Sequence, residues 1–145
     1  MRLFSADSKV KALSRAPLFA GLSRNELEEL AKVSEDLEDQ AGKVLCREGE
    51  TAREFFVIVE GEVGVTKGGE EIRTLSDGDF FGEIGLLEDV PRTATVTAKT
   101  PIRYFVLTRQ SFRGLVDRQH EIEHKVMRAF ADRVRPALSR DPTTS

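Results

Sequence analysis

A chain of 145 residues, 39% hydrophobic and 32% charged, fits one globular domain with a single core and a well-charged surface. Its net charge of -3 gives no global reason to expect nucleic acid or an anionic membrane as partner. The single cysteine, Cys46, excludes an intramolecular disulfide and any multi-cysteine metal site, and between Leu45 and Arg47 it reads as a small buried strand residue. With neither an apolar core of signal-peptide length nor a stretch of membrane-spanning length, a cytoplasmic protein is expected.

Residues 1–22 form an N-terminal arm with scattered apolar positions, in which a short helix from Ser8 to Arg15 is expected, stopped before Pro17. Ser23 opens a second helix. Ser23 and Glu26 have capping-box spacing, Leu22 and Leu27 can form the hydrophobic staple around it, and Leu27, Leu30 and Ala31 share one face. From Val33 the hydrophobic period changes to two. Strands are expected at Glu35–Asp39, Val44–Arg47, Glu54–Glu60, Val63–Lys67, Glu71–Leu75, Asp79–Phe81, Arg92–Ala98 and Ile102–Thr108, separated by glycine-rich turns. Gly68-Gly69 reads as a two-residue hairpin turn, and the unbroken run Phe55 to Val59 as a buried core strand. Many short strands at regular spacing predict a β-sandwich or jelly roll, mainly β with flanking helices.

Helical spacing returns after Thr108. Phe112, Leu115 and Val116 make one short apolar face. Ile122, Val126, Phe130 and Val134 then recur every four residues, an amphipathic helix ending near Pro136. The excess of arginine between 109 and 140 reads first as a solvated helix face, with an acidic partner or anionic ligand as the alternative. A domain from 23 to 138 is expected, followed by a disordered polar tail, 139–145.

The chemistry concentrates between Asp79 and Thr97. Gly82 lets a backbone approach a ligand closely, and the N–H groups opening a short helical turn at Glu83–Leu87 attract an anion. Glu83 can accept from a sugar hydroxyl, and Arg92 can fork onto a phosphate. His120-Glu121-Ile122-Glu123-His124 matches the zinc-protease pattern H-E-x-x-H, with its two His one turn apart. The context fails: Glu123 is charged where such helices carry uncharged residues, and no His or Cys follows as a third ligand. No P-loop or nucleophile elbow occurs, so neither an enzyme nor a metal or other cofactor is expected.

The order F-G-E-I-G-L-L, a short gap, then P-R-T-A-T-V resembles the phosphate-binding cassette of cyclic nucleotide-binding domains. Those domains occur in cAMP-dependent kinase regulatory subunits, cyclic-nucleotide-gated channels and catabolite activator-type regulators. The runs Arg47 to Val63 and Asp77 to Glu83 resemble the rest of that roll. The resemblance covers about Leu18 to Arg135 and implies a double-stranded β-helix of about eight strands, N-terminal helices, a cassette helix and two C-terminal helices. It gives Glu83 the ribose 2′-hydroxyl, Arg92 the cyclic phosphate, and Gly82, Ile84 and Thr93 backbone or hydroxyl contacts. Phe81, Gly85, Leu86, Pro91, Ala94 and Val96 complete the expected wall. The last helix is implied as a lid hinged near Asp117-Arg118-Gln119, with Arg133, Val134 or Leu138 capping the base. Thr93 stands where kinase domains tend to have Ala and in some relatives assists cGMP; with no second guanine-specific group in view, cAMP is favoured. No helix-turn-helix unit, spanning helix or kinase-inhibiting segment accompanies the cassette, so the expected output is in trans, through a protein partner or self-association, with no nucleic acid and no membrane insertion. The alternative is a protein-interaction module on the same fold that needs no nucleotide.

Overall fold

A computed structural model describes residues 6–51 and 53–139 of the chain, with side chains as far as Asp132. Helix α1 (Ala6–Ser14) and helix α2 (Arg24–Val33) form an N-terminal pair. The Ser23 hydroxyl accepts from Glu26 N at 3.2 Å and Glu26 Oε1 accepts from Ser23 N at 2.8 Å, the reciprocal capping box. Leu22, Leu27, Leu30 and Ala31 are buried behind it. Lys9 on α1 is also buried; its Nζ lies 2.5 Å from Asp36 and ties the pair to the first strand.

Among the described residues eight strands form two four-stranded antiparallel sheets. They are β1 (Glu35–Asp39), β2 (Val44–Cys46), β3 (Glu54–Glu60), β4 (Val63–Lys67), β5 (Glu70–Leu75), β6 (Phe80–Phe81), β7 (Thr95–Ala98) and β8 (Ile102–Thr108). The first sheet has the order β1-β8-β3-β6 and the second β2-β7-β4-β5, the mainly β roll with flanking helices that the spacing predicts. Gly68 and Gly69 join β4 to β5 at φ +60° and +84°, the positive dihedrals that a two-residue hairpin turn demands.

Alternation along β3 explains its unbroken apolar run. Phe56 and Ile58 enter a core between the sheets with Val63, Val65, Leu75, Val96 and Tyr104. Phe55 and Val57 face the other way, into a core with Leu13, Phe19, Leu30, Phe112, Leu115 and Ile122. A strand buried on both faces loses the polar alternation of a half-exposed one. The second core is covered by the N-terminal pair and by helices α3 (Arg109–Arg118) and α4 (His120–Ser139). Gln119 separates them at φ -131° and ψ +77°, where the expected hinge lies.

Several boundaries differ from expectation. The first helix spans Ala6–Ser14 rather than Ser8 to Arg15. β2 stops at Cys46 because Arg47 enters a turn closed by Glu50 N on Arg47 O, 3.2 Å. β6 excludes Asp79, whose carboxylate takes Ser76 N at 2.8 Å to close the preceding turn. β7 begins at Thr95, not Arg92, because Arg92 is bonded to the loop before β3, through Arg92 N on Glu50 O and Gly49 N on Arg92 O. Helix α4 runs through Pro136 to Ser139; a proline deletes one i→i-4 bond, and the neighbouring turns carry the helix past it. Nearly all of the expected tail, 140–145, lies outside the described residues.

Candidate functional site

The site is built outward from β6. Its two residues point to opposite faces, as strand geometry requires. Phe81 stacks on Phe56 at 4.7 Å between ring centroids, and Phe80 meets Phe55 edge-on at 5.7 Å. The chain is thus pinned to both cores just before Gly82. Gly82 has φ +86°, and a Cβ there would lie 2.6 Å from Glu54 O and collide with the Arg92 guanidinium. Both the dihedral and the close approach call for glycine.

Gly82 caps a 3-10 turn, Glu83–Leu86, shorter than the turn expected to Leu87. Gly85 N bonds Gly82 O at 3.0 Å, leaving the first two N–H groups, those of Glu83 and Ile84, without an acceptor inside the turn. The Glu83 side chain is buried, at 5% exposure. Arg92 folds over Gly82 and donates from Nη2 to Glu54 O at 2.6 Å. Its Nε is buried and, among the described residues, has no hydrogen-bond acceptor. Gly82 thus sets the Arg92 guanidinium against the start of the turn that carries Ile84 and buried Glu83; N–H donors, a cation and a carboxylate on neighbouring residues are a set suited to an anion carrying a hydroxyl group.

The other expected residues divide by face. Phe81, Ala94 and Val96 belong to or pack against the inter-sheet core, beside half-buried Cys46, whose Sγ is 3.8 Å from Ala94 O. Burial pushes that thiol's pKa up, which disfavours the nucleophilic thiolate. Pro91 and Thr93 are exposed at the rim. Leu86 turns away into the helical core with Phe112, Val116 and Val126, and the Gly85 carbonyl faces α3. Ile122 and Val126 on α4 are buried and Phe130 partly so; the side chains of Arg133, Val134 and Leu138 lie outside the described residues. His120, Glu121 and His124 are exposed, and among the described residues no His, Cys, Asp and Glu cluster could hold a metal.

Sequence reasoning missed the arginines behind the turn. Arg109, expected on a solvated face, is only 9% exposed. Its Nε and Nη2 donate to Gly85 O at 2.9 and 2.6 Å, and its Nη1 to Asp89 at 2.5 Å. Arg53 closes on the same carboxylate with bonds of 3.0 and 3.1 Å. Hydrogen bonds from Arg53 and Arg109 hold the Asp89 carboxyl well below the usual carboxylate range. These residues line a groove of about 1110 Å³ between β2, the loop before β3 and α3, which contains neither Glu83 nor Arg92.

The cyclic nucleotide-binding domain family matches residues 38–119, and the chain belongs to that family. A cAMP-dependent protein kinase regulatory subunit of Yarrowia lipolytica is 38% identical over 106 residues, covering 72% of this chain and 28% of the relative. A cGMP-dependent protein kinase of Caenorhabditis briggsae is 38% identical over 114 residues, 74% of this chain and 15% of the relative. The chain thus spans under a third of the length of these relatives. The regulatory domain of Toxoplasma gondii PKA in complex with cAMP superposes with a TM-score of 0.68 at 28% identity, covering 75% of this chain and 43% of that one. The N-terminal domain of a Streptomyces coelicolor transcriptional regulator reaches 0.78 at 28% identity, with coverages of 87% and 92%. Among the described residues no helix is long and apolar enough to cross a membrane.

Proposed function

We propose that this chain is a regulatory sensor that binds a 3′,5′-cyclic nucleotide, cAMP in first place, and signals in trans through its C-terminal helices without catalysing a reaction. The observation that carries this reading is the packing of Arg92 over Gly82 beside buried Glu83. In that arrangement the Arg92 guanidinium and the turn's N–H groups take the cyclic phosphate, and Glu83 accepts from the ribose. The relatives named for cAMP and for cGMP support the ligand class.

One observation favours cGMP as a second reading. Arg73 on β5 is in register with Val65, which lies in the inter-sheet core, so the two side chains share a face. Val65 is in turn opposite Val96 of the expected wall, and Arg73 is exposed at the β5 edge of this row. A guanidinium forks onto the O6 and N7 acceptors of guanine, whereas adenine presents an amino donor at the matching position.

Calorimetric titration with cAMP and with cGMP tests both readings. Heat with either nucleotide, on protein stripped of carried-over ligand, is expected; none with either would sink the proposal. Affinity for cGMP about tenfold above cAMP would select the second reading, a difference of about 1.4 kcal/mol. Hydrogen exchange tests the output: nucleotide is expected to protect amides of 118–132 as well as 79–97, and protection confined to 79–97 would leave a static binding module.

A further inference from the structure

A 3-10 turn of four residues cannot hold its own geometry, because one or two hydrogen bonds do not offset the cost of ordering it. Its anchors decide where its N–H groups point. On the side of the roll the anchor is Arg92 on Glu54 O. On the helical side it is Leu86 in the apolar core and Arg109 on Gly85 O.

We propose that Arg109 is a positioning residue for the nucleotide site: by gripping the Gly85 carbonyl from the first turn of α3, it sets the turn's geometry and makes turn and helix move as one body, so that occupancy of the site is read at α3 and α4. The inference rests on the cyclic nucleotide reading above. Three features make Arg109 a strut rather than a chance contact. It is a buried charge whose Nε, Nη1 and Nη2 all donate, two of them to one carbonyl and one to Asp89. Its backbone N is bonded to Arg53 O at 2.8 Å, while the Arg53 side chain closes on the same Asp89, so the head group is held from both ends. The planar fork also reaches Gly85 O and Asp89 together, which the single point charge of a lysine does not reproduce. Arg109 touches no ligand in this scheme; it acts through Gly85.

The test compares the full chain with Arg109→Gln, Arg109→Lys and, as a control on the exposed face of the same helix, Arg113→Gln. Each is checked for folding by circular dichroism, titrated with cAMP and cGMP, and followed by hydrogen exchange with and without nucleotide. Arg109→Gln is expected to bind about tenfold more weakly, to keep nucleotide-dependent protection at 83–96, and to lose it at 109–132. A general loss of stability would lower protection everywhere, with or without nucleotide. Arg109→Lys keeps the charge but not the fork and is expected to leave the helices uncoupled; Arg113→Gln is expected to behave as wild type. If Arg109→Gln fails to fold, Arg109→Lys and Asp89→Asn, which frees one end of the strut, carry the comparison, each expected to weaken the response at 109–132. Folded variants with wild-type affinity and wild-type protection of 109–132 would overturn the role of Arg109 alone. A wild-type chain that binds neither nucleotide overturns the site reading and this inference with it.

Discussion

The two hydrophobic cores of this domain share strand β3 but are built on different terms. The inter-sheet core is lined by residues whose backbones are cross-linked by ladders, such as Val63 against Ala98 and Val65 against Val96. The helical core joins elements chiefly through side chains such as Leu13, Phe19, Leu115 and Ile122, the helices making most of their backbone bonds within themselves. A ladder fixes register, whereas packed helices slide or tilt by exchanging side-chain contacts. The cassette lies across this divide: Phe81 and Ala94 pack on the ladder side, and Phe80, Leu86 and Leu87 on the helical side. In the proposed reading the ladder core holds the ligand while the helical core responds to it.

Phe55→Ala and Phe56→Ala bring the sharpest contrast. Each removes a buried ring from β3 and is expected to cost about 3–5 kcal/mol in urea unfolding. Phe56→Ala removes the ring on which Phe81 stacks and Phe55→Ala the ring that Phe80 meets edge-on; because Phe81 adjoins Gly82, Phe56→Ala is expected to weaken nucleotide binding the more, measured on the fraction still folded. Equal losses of affinity in both would erase the distinction between the cores. Next in size is Arg92→Ala, expected to lower affinity about a hundredfold in calorimetry, from a charge-pair loss of roughly 3 kcal/mol. Glu83→Ala would remove the proposed hydrogen bond to a neutral hydroxyl and is expected to cost about tenfold or less in the same titration.

The smallest effect concerns pH. Asp89 is a carboxyl whose folded pKa is depressed by Arg53 and Arg109, so its contribution to stability is fully present above the unfolded value of about 3.9 and is lost as pH falls through the folded one. The difference in Tm between wild type and Asp89→Asn is expected to be constant from about pH 8 to 5 and to shrink only in stronger acid. A difference that already fades near neutrality would mean that Asp89 is not held by the two arginines.

The strands and helices were legible because their signals are local. Ser23 and Glu26 cap α2 by spacing alone, and Phe55 to Val59 announce a strand buried on both faces. The grouping of Gly82, Glu83 and Arg92 was legible because a dense motif keeps them within a few residues of one another. Arg109 was hidden because its partners, Gly85 and Asp89, are 24 and 20 residues away, and an arginine opening a polar helix has the same local signature whether it faces water or a carbonyl. Arg73 was hidden likewise, since its face follows from the pairing of β5 with β4 rather than from its neighbours in sequence. The late start of that strand, at Thr95 rather than Arg92, was hidden because Thr93-Ala94-Thr95 alternates as a strand does, while the bonds that divert Arg92 involve Gly49 and Glu50.

The short length of β6 carries a consequence for solubility. β3 is a long, strongly apolar strand; β8 covers one edge along its length, but β6 covers the other through only the pairs Phe56 with Phe81 and Val57 with Phe80. The rest of that edge is finished by the cassette: Arg92 takes Glu54 O, and Asp79 O takes Ile58 N. An uncovered apolar edge is a template for pairing with another chain. The segment proposed to receive the nucleotide is thus also the guard over an apolar strand edge, and changes that loosen it are expected to endanger the protein's dispersal in solution as well as its affinity.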